Sequence, residues 1–309
     1  GLKYDVYLGD LYLLHGRGLS LHTFQDQGID YDNSLSGLDF IYHLNENVDL
    51  LYSIGLNDVK SRRNPTEEIP TISIENEMMS AGINMNLKLI NIHYLGLLYN
   101  QFYSFSDINN LMSLSNILGK YLSSRSDYIL SESPSYEMTN LEHNLGAEFS
   151  IGLFDLYFEK SLVFYDKLLA ERVGGAKNYF SIYFNFFNFD IFYEYKDYNT
   201  PYLYNIFSNP PIGFRESSST LSSRNLHTID FSNEFGHQLE INRSFDNSLN
   251  LLASYAFALH HKVGSDDPDI FNFMLSNEDF MNLSEFSPYQ QYYIEFSKWT
   301  SNSKFYYRF

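Results

Sequence analysis

Thr228-Ile229-Asp230-Phe231-Ser232-Asn233-Glu234-Phe235-Gly236-His237-Gln238-Leu239-Glu240-Ile241-Asn242 is the stretch that decides the fold. Thr228, Asp230, Ser232, Glu234, Gly236, Gln238, Glu240 and Asn242 share one parity and are all polar or Gly. Ile229, Phe231, Phe235, Leu239 and Ile241 share the other, broken only by Asn233 and His237. A period of two is the signature of a strand, whose successive side chains point to opposite faces.

The same alternation recurs along the chain. Ser80, Gly82, Asn84 and Asn86 interleave with Met79, Ala81, Ile83, Met85 and Leu87. Asn144, Gly146, Glu148 and Ser150 interleave with Leu145, Ala147, Phe149 and Ile151. The pattern predicts about fourteen strands, with centres near Val6, Leu19, Phe40, Leu51, Ile83, Tyr94, Gly146, Tyr157, Phe184, Ile191, Phe235, Tyr255, Ile294 and Tyr307. Several are longer than strands of ordinary globular proteins.

Long amphipathic antiparallel strands fit two architectures. A soluble sandwich hides the apolar face. A transmembrane barrel turns that face to lipid and its small polar and charged residues to the lumen. Three features favour the barrel. Strands of about ten residues suit a tilted bilayer crossing. Aromatic residues make up 18% of the chain, with 27 Tyr and 27 Phe, and cluster at Tyr99, Phe102, Tyr103 and Phe105 and at Tyr289, Tyr292 and Tyr293, as interfacial girdles do. Connections alternate between tight reversals at Asn45-Glu46-Asn47 and Asn188 and long polar segments at 107–135, 198–224 and 264–288, the asymmetry of outer-membrane barrels. The expected architecture is therefore one all-β domain over 1–309, an antiparallel transmembrane β-barrel of about 14 strands, with no room for a separate plug.

Composition excludes other classes. The apolar content of 44% argues against disorder, and the absence of Cys removes thiol nucleophiles, disulfides and Cys-ligated metals. A net charge of −18 has the wrong sign for nucleic acid. No apolar run of about eighteen residues is present to form a transmembrane helix. The chain opens at Gly1 without Met or a basic leader, as a mature or excerpted chain would.

The ending Lys304-Phe305-Tyr306-Tyr307-Arg308-Phe309 places Phe305, Tyr307 and Phe309 on one parity. It resembles the C-terminal recognition strand of bacterial outer-membrane barrels. Near the other end, Gly9-Asp10-Leu11-Tyr12, Gly16-Arg17-Gly18-Leu19 and Gly28-Ile29-Asp30-Tyr31-Asp32-Asn33 follow one another. Together they resemble a motif of uncharacterised Bacteroidota-type outer-membrane β-barrel proteins, with Leu11 in place of Phe and an extra residue in the acidic segment. The resemblance covers about residues 5–45. It implies an outer-membrane location in a Gram-negative cell and a chain that is part of a larger barrel, and it implies no activity.

Candidate functional residues fall into three sets. Glu148, Asp190, Glu194, Asp230, Glu234 and Glu240 share strand parities expected to face the lumen, opposed mainly by Lys196, Arg243 and Arg308. Acidic pore linings favour cations, so a porin-like pathway for cations or polar solutes is the leading expectation. Asp10, Arg17, Asp30 and Asp32 form the motif set, read as a rim turn or an ion site. His260-His261 with Asp266, Asp267 and Asp269, and His15, His22 and His43, are the candidates for hydrolytic or cation chemistry; their spacing matches no metal or catalytic motif. The alternatives are a barrel anchor whose long loops dock a partner protein or glycan, and a lipid hydrolase at the rim. No cofactor is expected, and lipid is the expected surrounding partner.

Overall fold

The computed structural model describes residues 3–26, 31–61, 72–104, 135–165, 173–200, 207–211, 233–245, 248–261, 289–299 and 304–308. They form β1 (Tyr4–Leu11), β2 (Gln25–Asp26), β3 (Tyr31–Asp32), β4 (Leu35–Asn45), β5 (Val48–Ser61), β6 (Ile72–Leu87), β7 (Ile90–Ser104) and β8 (Ser135–Ile151). These are followed by β9 (Phe154–Tyr165), β10 (Val173–Phe186), β11 (Phe189–Asn199), β12 (Asn233–Phe245), β13 (Leu249–His260), β14 (Tyr289–Trp299) and β15 (Lys304–Arg308). The chain is nearly all-β. Thirteen strands form one sheet in the order β1-β4-β5 and then consecutively to β15, while β2 and β3 make a separate small hairpin. Among the described residues β1 and β15 pair only inward, with β4 and β14 respectively.

Thirteen of the fourteen expected strand centres lie on these strands. The exception is Leu19. It sits in an irregular segment between β1 and β2 and is wholly buried.

Connections alternate as expected. Two residues separate β4 from β5, β6 from β7, β8 from β9 and β10 from β11, whereas the opposite ends are joined by 62–71, 105–134, 166–172, 200–232 and 261–288. At the β10–β11 reversal Phe187 and Asn188 have φ of 50° and 63°, the left-handed pair that a two-residue hairpin turn demands.

The faces of the sheet settle a question that alternation leaves open. On β8, Glu142 and Asn144 are buried while their neighbours Leu141 and Leu145 are exposed, Leu145 by 51% and Asn144 by 0%. Ser53 and Ser80 are buried beside exposed Ile54 and Met79, and buried Ser161 adjoins exposed Leu162. Towards the C-terminus Tyr292, Ile294 and Phe296 on β14 are exposed while Ser297 is buried. At these positions the sheet is inverted relative to a soluble sandwich, with polar side chains buried and aliphatic ones exposed, although parts of β5–β7 and β12–β13 also bury apolar residues. In water, a continuous apolar face costs roughly 25 cal/mol per Å², and soluble proteins avoid it.

The chain divides into two compact units. One comprises Gly1–Gly146, Glu159–Ala176 and Thr200–Pro210; the other comprises Ala147–Phe158, Lys177–Asn199 and Pro211–Phe309. In the first, Leu11 and Leu21 together with Phe207 pack on Val59, Ile74, Met78, Leu95, Leu97 and Tyr99. Residues 12–24 thus lie against the buried face of β5–β7, so an inner segment exists where the sequence suggested no spare chain. Tyr99 belongs to this cluster and stacks edge-on against Phe207, which corrects its reading as an interfacial residue. It shares parity with Leu95, Leu97 and Gln101, all buried.

Candidate functional site

Gly16-Arg17-Gly18 forms a turn of the inner segment. The backbone N–H of Arg17 donates to Glu159 Oε2 at 2.7 Å, and the second carboxylate oxygen accepts from Asn144 Nδ2 at 2.8 Å. Gly16 has φ of +57°, and a Cβ there would lie 2.7 Å from the Glu159 carboxyl group. Gly18 has φ of +83°, and its Cβ would lie 2.8 Å from the backbone oxygen of Asn209. Both positions therefore demand glycine for conformation and for space. The turn is pinned from the other side by 207–209. His22 N donates to Phe207 O at 2.6 Å, Asn209 N to Gly18 O at 3.0 Å, and Ser208 Oγ to Leu19 O at 2.6 Å.

The remaining motif residues do separate local jobs. Asp10 is exposed near the end of β1, opposite Ser36. Asp32 accepts from the backbone of Ser34 at 2.8 Å. Asp30 lies outside the described residues.

Beside the turn, side-chain amides cross the sheet. Asn140 Nδ2 donates to Gln101 Oε1 (3.3 Å), Gln101 Nε2 to Asn76 Oδ1 (3.2 Å), Asn76 Nδ2 to Asn57 Oδ1 (2.9 Å) and Asn57 Nδ2 to Asn33 O (3.1 Å). The chain of donors runs in one direction across β8, β7, β6 and β5. Buried polar groups need such partners, and this ladder supplies them inside the first unit. Sequence reasoning missed it, although Asn76 shares the polar parity of Ser80 and Asn84.

In the second unit the expected acidic lining is partly neutralised. Glu234 is fully buried and ion-paired with Lys196, itself buried, and His260 Nε2 lies 3.5 Å from its other oxygen. Lys177, which sequence reasoning did not count among the opposing bases, is also buried. Glu194 accepts from the Tyr179 hydroxyl. Asp190 accepts at 2.7 Å from both Tyr183 Oη and Asn185 Nδ2 beside the β10–β11 turn. Glu240 is half-buried, opposite Phe192 and Ser254. Glu148 is exposed on β8. Asp230 lies outside the described residues.

The histidine candidates are held at separate places by carboxylate or ring contacts. His261 Nε2 is 3.1 Å from Asp197. His43 contacts Asp49 at 2.7 Å and Asp5 at 3.1 Å. His15 is buried edge-on against His93, with ring centroids 4.8 Å apart. Burial, then the neighbouring His93, pushes the His15 imidazole down to about 3. Among the described residues no group of His, Asp and Glu could hold a metal ion; Asp266, Asp267 and Asp269 lie outside them.

No protein-family model matches the chain, and no curated protein matches it. Three solved structures similar to the chain include one described as a channel and one described as a transporter. The crystal structure of Pseudomonas aeruginosa OccK11 (OpdR) has 12% identity and a TM-score of 0.47 over 99% of this chain and 75% of that one. The CymD monoaromatic hydrocarbon channel has 9% identity and a TM-score of 0.31 over 90% and 77%. The Pseudomonas putida toluene transporter TodX has 9% identity and a TM-score of 0.28 over 88% and 76%.

Proposed function

We propose that the chain forms an outer-membrane β-barrel of a Gram-negative cell and acts as a porin-like pathway for cations or polar solutes. The observation that carries this reading is the inverted sheet, with Glu142, Asn144, Glu159 and Ser161 inside and Leu141, Leu145, Phe158 and Leu162 outside. An apolar outer face asks for lipid as its solvent, and a hydrogen-bonded polar face asks for an aqueous or polar interior. Short turns on one edge and long segments on the other agree with that placement. Conductance in planar bilayers under a salt gradient tests the reading. A reversal potential on the cation side supports it; anion preference, or no conductance, overturns it.

The inner segment at 12–24 gives the second reading its footing. A barrel filled by its own chain serves as an anchor whose long loops hold a partner protein or glycan. Co-purification of a stoichiometric partner from mild detergent, without conductance, selects that alternative.

A further inference from the structure

A cavity of about 490 Å³ opens in the first unit, between the inner segment and the turn-side ends of β4–β7. That volume falls within the range of small-molecule sites. Its lining carries three carboxylates, Asp39, Glu46 and Asp49, and neither Lys nor Arg. The register sets two of them beside further polar groups: Asp39 faces Ser53, which faces Ser80, and Asp49 faces Asn84. Asp39 accepts from Ser53 Oγ at 2.6 Å, and Asp49 Oδ1 is taken by His43, leaving each carboxylate a second oxygen.

An independent observation points the same way. Three atoms in this lining, Ser80 Oγ, His15 Nε2 and Asn84 Oδ1, have no hydrogen-bond partner among the described residues. Ser80 is 1% exposed and His15 4%. A carboxylate and an amide oxygen only accept, and a hydroxyl and a neutral imidazole nitrogen can accept. Ser80 Oγ and His15 Nε2 can also donate but Asn84 Oδ1 cannot, and buried polar atoms without partners are costly, so a ligand that brings donors can satisfy each of the three. Leu13, Leu51 and Ile92 supply apolar wall between the polar groups.

We propose that this cavity binds a small aliphatic ammonium compound, its N–H donors on Asp39, Asp49 and Ser80 and its alkyl stem on the leucine and isoleucine wall. An ammonium group is charge-matched and carries three donors, and carboxylates of one sign in a cleft with apolar walls concentrate such cations. The proposal rests on the channel reading only for the route by which the solute arrives.

Calorimetric titration of the detergent-solubilised full chain with 1,4-diaminobutane tests it, alongside butane-1,4-diol and succinate of the same length. The diamine should bind and neither analogue should. Asp39→Asn with Asp49→Asn should weaken diamine binding at least about tenfold, and Ser80→Ala should weaken it less. No diamine binding, equal binding of the diol or succinate, or a folded double variant with unchanged affinity overturns the proposal. The three-ligand comparison is made on the unmodified chain, so it stands even if the double variant fails to fold. Conductance without diamine binding removes this site and leaves the channel; diamine binding without conductance does the reverse.

Discussion

The backbone N–H of Arg17 and the carboxylate of Glu159 meet at 2.7 Å across 142 positions of sequence. This bond joins the inner segment to the buried face of β9, and the same carboxylate reaches Asn144 on β8. One wholly buried side chain thus fixes the segment and links two strands. Glu159→Ala removes both acceptors and leaves the Arg17 N–H and the Asn144 amide to find others, at about 1–3 kcal/mol for each lost partner. The expected outcome is a segment that detaches while the strands stay paired, read as larger and noisier single-channel conductance with unchanged far-ultraviolet circular dichroism.

Gly18→Ala should act in the same direction, and more strongly than Gly16→Ala. At Gly16 the obstructing group is the end of a Glu159 side chain, which can shift at the expense of its hydrogen bonds. At Gly18 the obstruction is the backbone of Asn209, which cannot shift alone. Both residues have positive φ, adding about 1 kcal/mol of conformational cost. Thermal unfolding followed by gel mobility in detergent should rank the variants wild type, Gly16→Ala, Gly18→Ala in falling stability.

The amide ladder makes a prediction of its own. Asn76 holds the middle rung, donating to Asn57 and to Ile74 O and accepting from Gln101. Asn76→Leu matches the branching of the side chain, with more bulk, but takes away the acceptor for Gln101 and the donor for Asn57, at about 1–3 kcal/mol for each orphaned buried group. Asn76→Gln, which keeps both functions on a longer stem, should recover part of the loss. The midpoint of urea unfolding in lipid vesicles measures it.

The strands were legible in the sequence because alternation is a local property: Asn233 to Asn242 needs no distant partner to look like a strand. The inner segment was not legible for the same reason. Leu19 and Leu21 alternate with Ser20 and His22 just as a strand does, yet Leu19, Ser20 and Leu21 are all buried. Leu21 packs with strand residues and Phe207, and Leu19 O accepts from Ser208, contacts that only distant chain supplies. The site was readable in kind and less so in arrangement. Parity placed Glu194 and Glu234 on one face, but cross-strand register decides that Glu234 meets Lys196 and that Asn57, Asn76, Gln101 and Asn140 line up. Gly16 and Gly18 stood out as a motif, and their reason, Glu159 and Asn209, lies far along the chain.

The Lys196–Glu234 pair is buried on both sides, at 2% and 0% exposure. Removing one partner of such a pair strands the other charge, which typically costs about 3–5 kcal/mol. Glu234→Gln should therefore destabilise the second unit severely. Lys196→Met combined with Glu234→Leu should be less harmful than either charge-stranding change alone, since desolvation of two ions offsets much of their attraction. A double-mutant cycle on urea-unfolding free energies checks this, and additive losses would refute it.

Acidification should loosen the inner segment through His15. The imidazole is lowered from 6.5 to about 3, by burial first and by His93 second. An unfolded or undocked His15 takes up a proton below about pH 6.5, whereas the docked one refuses it until about pH 3. Proton binding therefore favours the undocked state, so this contribution to stability is present above pH 6.5 and drains away as the pH falls toward 3. Carboxylates such as Asp39 and Asp49 also titrate in acid, so the part owed to His15 is the difference between wild type and His15→Gln, whose amide does not titrate. Conductance recorded from pH 7 to pH 4 should rise in the wild type and rise less in His15→Gln. Identical profiles would show that the ring is not what couples the segment to pH.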